Sequence, residues 1–208
     1  MTWYLWIIWI IFSYCLGSIP FAYIFVRFFK NGLDIRTVGS GNVGSTNTLR
    51  QAGPGVAAIV FILDTLKGFI PAFIGMHIYV ANMPNMGDIP IVAFVGAIAA
   101  TYGHFFPVWL NFKGGKGVAT AFGVLIAISP LVAAITLASW FVVMVVSGYV
   151  SLGGCIAAVI AAASLGIVYQ NWLVFFIFFI IAAGINFRHA VNYRNIIAGK
   201  ESRVFRRK

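Results

Sequence analysis

The chain has 208 residues, 62% hydrophobic and 9% charged, with a mean hydropathy of +0.98. A water-soluble domain carries about 25% charged residues, and the apolar runs here repeatedly reach the roughly 18 residues that cross a hydrocarbon core, so a soluble fold is excluded. The beat of a transmembrane β-barrel is absent, and the net charge of +10 reads as loop charge beside anionic headgroups, not as a nucleic-acid surface.

Taken in chain order, the sequence predicts an all-α polytopic membrane protein with seven transmembrane helices, folded as a single domain over 1–208. The first span runs over 3–27. Its start, "MTWYLWIIWIIF", lacks the cationic head of a secretory signal and is expected to stay in place as a helix. The second span, 54–80, contains Asp64 and Lys67, three residues apart on one helix face and able to pair. Charges at that depth are expensive, and either a structural pair facing the bundle or a functional role accounts for them. The remaining spans are 90–110, 116–129, 130–148, 152–169 and 171–187. Only Ser129-Pro130 separates the fourth from the fifth, because the residue before a proline leaves α geometry. Cys15 and Cys155 lie inside spans and read as small buried apolar residues.

Seven spans place segments 28–53, 111–115, 149–151 and 188–208 on one face. That face holds Lys30, Arg36, Arg50, Lys113, Arg188, Arg194, Lys200, Arg203, Arg206, Arg207 and Lys208, with Arg27 and Lys116 at its border. The other face, where Asp88 lies, has no Lys or Arg. The positive-inside rule then puts the N-terminus out and the C-terminus in the cytoplasm.

Four polar stretches follow the odd-numbered spans and are expected to meet at the cytoplasmic membrane surface. The first is "DIRTVGSGNVGSTNTLRQAG", 34–53, where Gly39, Gly41 and Gly44 are expected to permit tight turns. Ser40, Asn42, Ser45, Thr46 and Asn47 supply hydrogen-bonding groups there, and Arg50 a planar fork for phosphate or carboxylate. The second is "HFFPVWLNFKGGKGVAT", 104–120, in which Gly114, Gly115 and Gly117 free the backbone to turn N–H groups toward one point. Lys113, Lys116 and the helix starting near Val118 complete an anion cradle. The third is "GYVSLGG", 148–154, and the fourth "NFRHAVNYRNIIAGKES", 186–202.

The second stretch is not a Walker A loop, since Gly117 stands where Ser or Thr is required. No G-x-S-x-G elbow, paired-carboxylate site or metal-ligand cluster is assembled from four acids and two cysteines. Five residues after His77, His104 and His189 come Asn82, Trp109 and Arg194, so the His-x-x-x-x-Asp pair of soluble acyltransferases is also absent. His77 reads as interfacial, and His104 as either a structural hydrogen bond or a ligand contact. His189 reads as functional, beside Arg188, Asn192 and Arg194. A site rich in cations and poor in bases suits phosphorylated ligands and works by position and electrostatics.

These residues resemble the PlsY family of acyl-phosphate:glycerol-3-phosphate acyltransferases over nearly the whole length. The likeness rests on "YCLGSIPFAYIF" (14–25), the 34–53 stretch, "LDTLKG" (63–68) and "GHFFPVWLNFKGGKGVAT" (103–120), in that order. Departures are Ser45 for a common alanine, and Gly148, Gly153 and Gly154 around "YVSL" where the family reads like "RYVSLSS". Ser151 remains. The third motif keeps His189, Asn192, Gly199 and Glu201 but differs at Ala190, Asn195 and Lys200.

The resemblance implies a multi-pass enzyme of the bacterial plasma membrane with its active site at the cytoplasmic face. It would move a fatty acyl group from acyl phosphate to the 1-hydroxyl of glycerol 3-phosphate, giving lysophosphatidic acid and phosphate. Its partners would be those two substrates and membrane lipid, with no cofactor, no metal and no nucleic acid. Under this reading Gly114, Gly115, Lys116 and Gly117 hold the acyl-phosphate headgroup. Arg50, Lys113, His189 and Asn192 clamp glycerol 3-phosphate. Ser40, Asn42, Thr46 and Asn47 shape the pocket and orient the hydroxyl, Ser151 contributes from the third stretch, and His189 is the alternative base to a substrate phosphate oxygen. A carrier of small organic phosphates and an acyltransferase using acyl-CoA are the competing readings.

Overall fold

A computed structural model of the chain describes residues 2–82 and 89–204; Asp88, Arg206, Arg207 and Lys208 of the charge reading lie outside the described residues. The chain divides into two compact units, Met1–Ile128 and Ser129–Lys208. All regular structure among the described residues is helical.

In the first unit the expected opening span is present over Trp3–Phe29, built of two helices with a proline interruption between them. Helix α1 (Trp3–Ser18) stops at Ile19 and α2 (Phe21–Phe29) begins after Pro20. Pro20 has no N–H to donate and drives Ile19 to ψ 118°, out of α geometry. After a 3-10 turn at Ile35–Thr37 come α3 (Ser45–Ala52), α4 (Pro54–Asn82), α5 (Ile91–Phe105) and α6 (Val118–Ile128). Buried Ala22 and Val26 of α2, Ile35 and Val43 of the first polar stretch, Val60 of α4 and Leu110 form one apolar nucleus. That nucleus fixes the polar stretch to the helices at Ile35 and Val43, on either side of Gly39 and Gly41.

Lipid offers little hydrophobic drive for helix association, so close backbone approach through small residues takes over. A Cβ on Gly17 would overlap the Ala100 carbonyl, and one on Gly103 the Tyr14 carbonyl, locking α1 to α5. Likewise Gly68 sits on the Thr120 carbonyl and Gly123 on the Thr65 carbonyl, locking α4 to α6. Since the obstructing atoms are backbone, Gly123→Ala is expected to lower stability by about 1–3 kcal/mol. Thermal unfolding in detergent measures this, and an unchanged midpoint would mean the close approach is dispensable.

The second unit contains α7 (Pro130–Ser147), α8 (Val150–Val168), α9 (Trp172–Arg188) and α10 (Ala190–Ile197). Ser129 caps α7 by accepting from the Val132 N–H at 3.4 Å, with Pro130 in the first helical position. Asn171 does the same for α9, accepting from Leu173 N–H at 2.8 Å. Helices α9 and α10 meet at a 51° bend.

Among the described residues five segments are long and apolar enough to cross a membrane: Trp3–Phe29, Pro54–Ile78, Ile91–Leu110, Pro130–Ser147 and Val150–Val168. Counting the bent α9–α10 pair as one makes six. The expected span at 116–129 is only the 11-residue α6, about 16 Å of helix against a core of about 30 Å. Its first residues are instead spent on the glycine turn. Phe28 and Val146 are 78% and 81% exposed, alongside many other large apolar side chains. Exposure on that scale suits lipid as the surrounding solvent.

Candidate functional site

The first polar stretch is organised around one side chain. Asn47 is 1% exposed. Its amide nitrogen lies 3.3, 3.2 and 3.1 Å from the carbonyls of Ile35, Val38 and Asn42, and its oxygen accepts from the Ser40 N–H at 3.2 Å. Every polar atom of Asn47 is thus committed to the loop backbone, so its contribution is to shape the loop. Gly39 and Gly41 supply the left-handed turns, at φ 61° and 66°. Gly44 departs from expectation: at φ −161° and ψ 168° it is ordinary extended backbone. Buried Thr48 ties its hydroxyl to the Gly44 carbonyl at 3.0 Å. This scaffold leaves Ser40, Thr46 and Arg50 exposed and Asn42 half-buried.

At the loop's start Asp34 accepts from the Arg36 backbone N–H at 2.9 Å and pairs with its guanidinium at 2.7 Å. The Arg36 side chain, hydrogen-bonded to it, holds the Asp34 carboxyl below its ordinary range. A carboxyl lowered in the folded state stabilises above its unfolded pKa of about 4, and that stabilisation is lost as pH falls through the lowered folded value. The pair is partly solvated, so about 0.2–1 kcal/mol is at stake. Wild type is expected to converge on Asp34→Asn in melting temperature as pH falls below about 4; a gap persisting at pH 2 would assign the effect elsewhere.

The glycine-lysine turn is zipped onto the end of α5. Gly114 N–H donates to the Phe105 carbonyl at 3.2 Å and Gly115 N–H to the His104 carbonyl at 3.1 Å. Two of the N–H groups expected to face an anion therefore have acceptors within the protein. The glycines are needed for proximity. A Cβ on Gly114 would overlap the His104 carbonyl, and one on Gly115 would meet both the His104 ring and the Val43 carbonyl. Gly117, at φ 74°, rests on the Phe105 ring. Gly115 is thus where the first and second polar stretches meet. Lys116 is half-buried and Lys113 exposed.

Beside this junction lies a small open cleft, lined by residues including Ser18, Ile19, Val43, Asp64, Lys67, His104, Gly114 and Gly115. Asp64 and Lys67 form the ion pair that their spacing predicts, at 2.7 Å. His104 belongs to α5 instead of opening a loop, and its Nδ1 stands 3.8 Å from the Asp64 carboxylate.

In the second unit the third and fourth polar stretches also come together. Glu201 Oε1 accepts from Ser151 Oγ at 2.8 Å and from Asn192 Nδ2 at 2.6 Å. His189 is 3% exposed and occupies the α9–α10 bend. Its Nδ1 lies 2.8 Å from the Ile185 carbonyl; a carbonyl only accepts, so Nδ1 carries hydrogen and Nε2 keeps the neutral ring's lone pair. Tyr193 donates to Asn186 Oδ1 at 2.5 Å, bracing α10 against α9. The segment after α10 folds back, with Val204 N–H on the Gly148 carbonyl at 2.9 Å and Arg203 Nε on the Tyr149 hydroxyl at 3.1 Å.

Thus Ser40 and Asn42 lie in one loop and Thr46, Asn47 and Arg50 in the helix α3 that follows it; Gly115 joins that loop to Lys113, Gly114, Lys116 and Gly117; and Ser151, His189 and Asn192 gather around Glu201 and the helix bend. Thr48 and Val43 are structural members of these groups that motif reading passes over, and Glu201 is one that it keeps without assigning a task. For Glu201 a signal existed: a carboxylate is rare among four acids in 208 residues, and this one sits just past a helix end in a basic tail. Among the described residues no group of His, Cys, Asp or Glu could hold a metal ion, and both cysteines are unbridged.

Multiple apolar membrane helices carrying a polar, cation-bearing glycine turn define a helical integral membrane protein. Its lineage is equally clear, because the sequence model of the family described as glycerol-3-phosphate acyltransferase matches residues 7–199, through both units, and the chain belongs to that family. It is 38% identical to glycerol-3-phosphate acyltransferase 2 of Thermotoga maritima over 199 residues, 96% of each chain. Two crystal structures of PlsY, an integral membrane glycerol 3-phosphate acyltransferase, are similar to it. The glycerol 3-phosphate form has a TM-score of 0.85 at 38% identity over 96% of each chain. The lysophosphatidic acid form has a TM-score of 0.82 at 37% identity, over 95% of this chain and 94% of the other.

Proposed function

We propose that this protein transfers a fatty acyl group from acyl phosphate to the 1-hydroxyl of glycerol 3-phosphate at the cytoplasmic face of a bacterial plasma membrane. Family membership supports glycerol 3-phosphate as acceptor. One observation bears on the donor: Asp64, the carboxylate lining the cleft, is already neutralised by Lys67 at 2.7 Å. A cleft whose lining carboxylate is already committed to Lys67 is poorly equipped to activate a reluctant donor. Acyl phosphate needs no such help, because its leaving group is a stable dianion, and the protein supplies electrostatics and position.

The glycerol 1-hydroxyl attacks the acyl carbon, the ester C–O bond forms, and the acyl C–O bond to phosphate breaks. The hydroxyl proton passes to a substrate phosphate oxygen, with His189 Nε2 as the alternative acceptor, so no covalent enzyme intermediate is formed. Lys116, Gly117 and the start of α6 hold the donor phosphate, seated on the turn that Gly114 and Gly115 shape. Arg50, Lys113, His189 and Asn192 bind glycerol 3-phosphate, with Ser40, Asn42 and Thr46 orienting the hydroxyl on the loop that Asn47 holds. Ser151 acts through the Glu201 group, and no cofactor or metal takes part. Seven membrane passes, N-terminus out and C-terminus in, agree with the cations in the Lys30–Arg50 and Arg188–Arg203 stretches; the seventh pass requires α6 to cross with help from its flanking residues.

The test is purified protein in detergent with glycerol 3-phosphate and either acyl phosphate or acyl-CoA. Lysophosphatidic acid and inorganic phosphate are expected from acyl phosphate alone. Product from acyl-CoA reassigns the donor. Uptake of labelled glycerol phosphate into sealed vesicles, without product, replaces the enzyme by a carrier.

A further inference from the structure

Asp64 and Lys67 have no part in the roles above, yet their side chains are only 3% and 2% exposed inside the span Pro54–Ile78. An ion pair in that setting is costly to desolvate and by itself argues weakly for stability. Its surroundings supply a better reason. Lys67 Nζ donates to the Ile19 carbonyl at 2.9 Å, at the break between α1 and α2. That carbonyl also accepts from the Phe21 N–H at 3.2 Å, so an ammonium with several N–H groups can hold it and Asp64 together. On the other side Asp64 stands 3.8 Å from the His104 ring. The His104 carbonyl takes the Gly115 N–H, and its ring fills the space a Cβ on Gly115 would need.

Contacts therefore run without a gap from the broken first span, through the ion pair, to the glycine turn. We propose that Asp64 and Lys67 are a positioning pair for the donor-phosphate turn: Lys67 pins the helix break at Ile19 while Asp64 orients His104 against Gly115. Neither residue touches substrate. The proposal rests on the reading of that turn as the donor site.

The experiment uses the full chain in detergent and the double variant Asp64→Asn/Lys67→Met. Removing both charges avoids the lone buried charge that each single variant leaves behind, so the fold is expected to survive, as judged by size exclusion and melting. A misplaced turn should raise the KM for acyl phosphate by about 10–100-fold with little change in the KM for glycerol 3-phosphate. Amide hydrogen exchange across 112–118 should accelerate as the turn loosens. Wild-type KM and wild-type exchange in the double variant would overturn the proposal and leave the pair as charge neutralisation only. If wild type makes no product from acyl phosphate, the donor reading fails, and exchange in the turn alone decides the positioning role. Should the double variant not fold, His104→Gln keeps both charges but removes the imidazole that joins them to the turn. It is expected to give the same signature, and wild-type values in it overturn the proposal.

Discussion

Lys116→Ala is expected to lower kcat/KM for acyl phosphate by about 10²–10³-fold while leaving the melting temperature within a few degrees of wild type. Lys116 is half-buried at the mouth of α6, directly after the glycine whose N–H is fastened to His104. Charge on the departing phosphate grows as the acyl C–O bond breaks, and a fixed ammonium in a water-poor site stabilises that growth far more than a solvated one. The first N–H groups of α6 lack acceptors within the helix and add to the same field. Lys116→Arg keeps the charge but spreads it over a wider plane, and an intermediate rate is expected. Lys113→Ala provides the contrast: Lys113 is exposed, where water screens its charge, so the loss should stay within about tenfold. Phosphate release and product formation measure all three. Full activity in Lys116→Ala would remove the turn from the donor site.

The helical class was legible because lipid imposes it: backbone groups must pair within each segment, and apolar runs of fixed length follow. Proline punctuation was read correctly at Ser129-Pro130 and missed at Ile19-Pro20. The two look alike in sequence, but at the second the carbonyl freed by the break is met by Lys67, forty-eight residues away, and no local rule anticipates such a partner. Residue type at the site was legible and role was not. Gly114 and Gly115 announce backbone freedom, yet both are used for close approach to His104 and Val43. Asn47 announces a ligand contact, yet it is consumed in holding its own loop. Asp64 and Lys67 could be paired from spacing alone, because three residues on one helix is a local geometry.

The other large effect is expected at Glu201, the residue that the motif reading kept and gave no task. Its Oε1 is the shared acceptor for Ser151 and Asn192, and it is set in place by the turn after α10, where Gly199 adopts φ 66° and the Glu201 N–H returns to the Asn195 carbonyl at 3.1 Å. Glu201→Ala removes the acceptor from two half-buried donors at once, about 1–3 kcal/mol for each, so both stability and rate should fall, the rate by about 10²-fold. Glu201→Gln separates the two causes. It retains an acceptor oxygen of the same shape, loses only the extra strength of hydrogen bonds to a charged group, and should recover most of the melting temperature. If Asn192 binds glycerol 3-phosphate, the softened hold on its side chain should appear as a raised KM for that substrate, with the KM for acyl phosphate little changed. A Glu201→Gln enzyme with both KM values at wild type and a lowered melting temperature would instead make Glu201 a fold residue and withdraw Asn192 from the acceptor clamp.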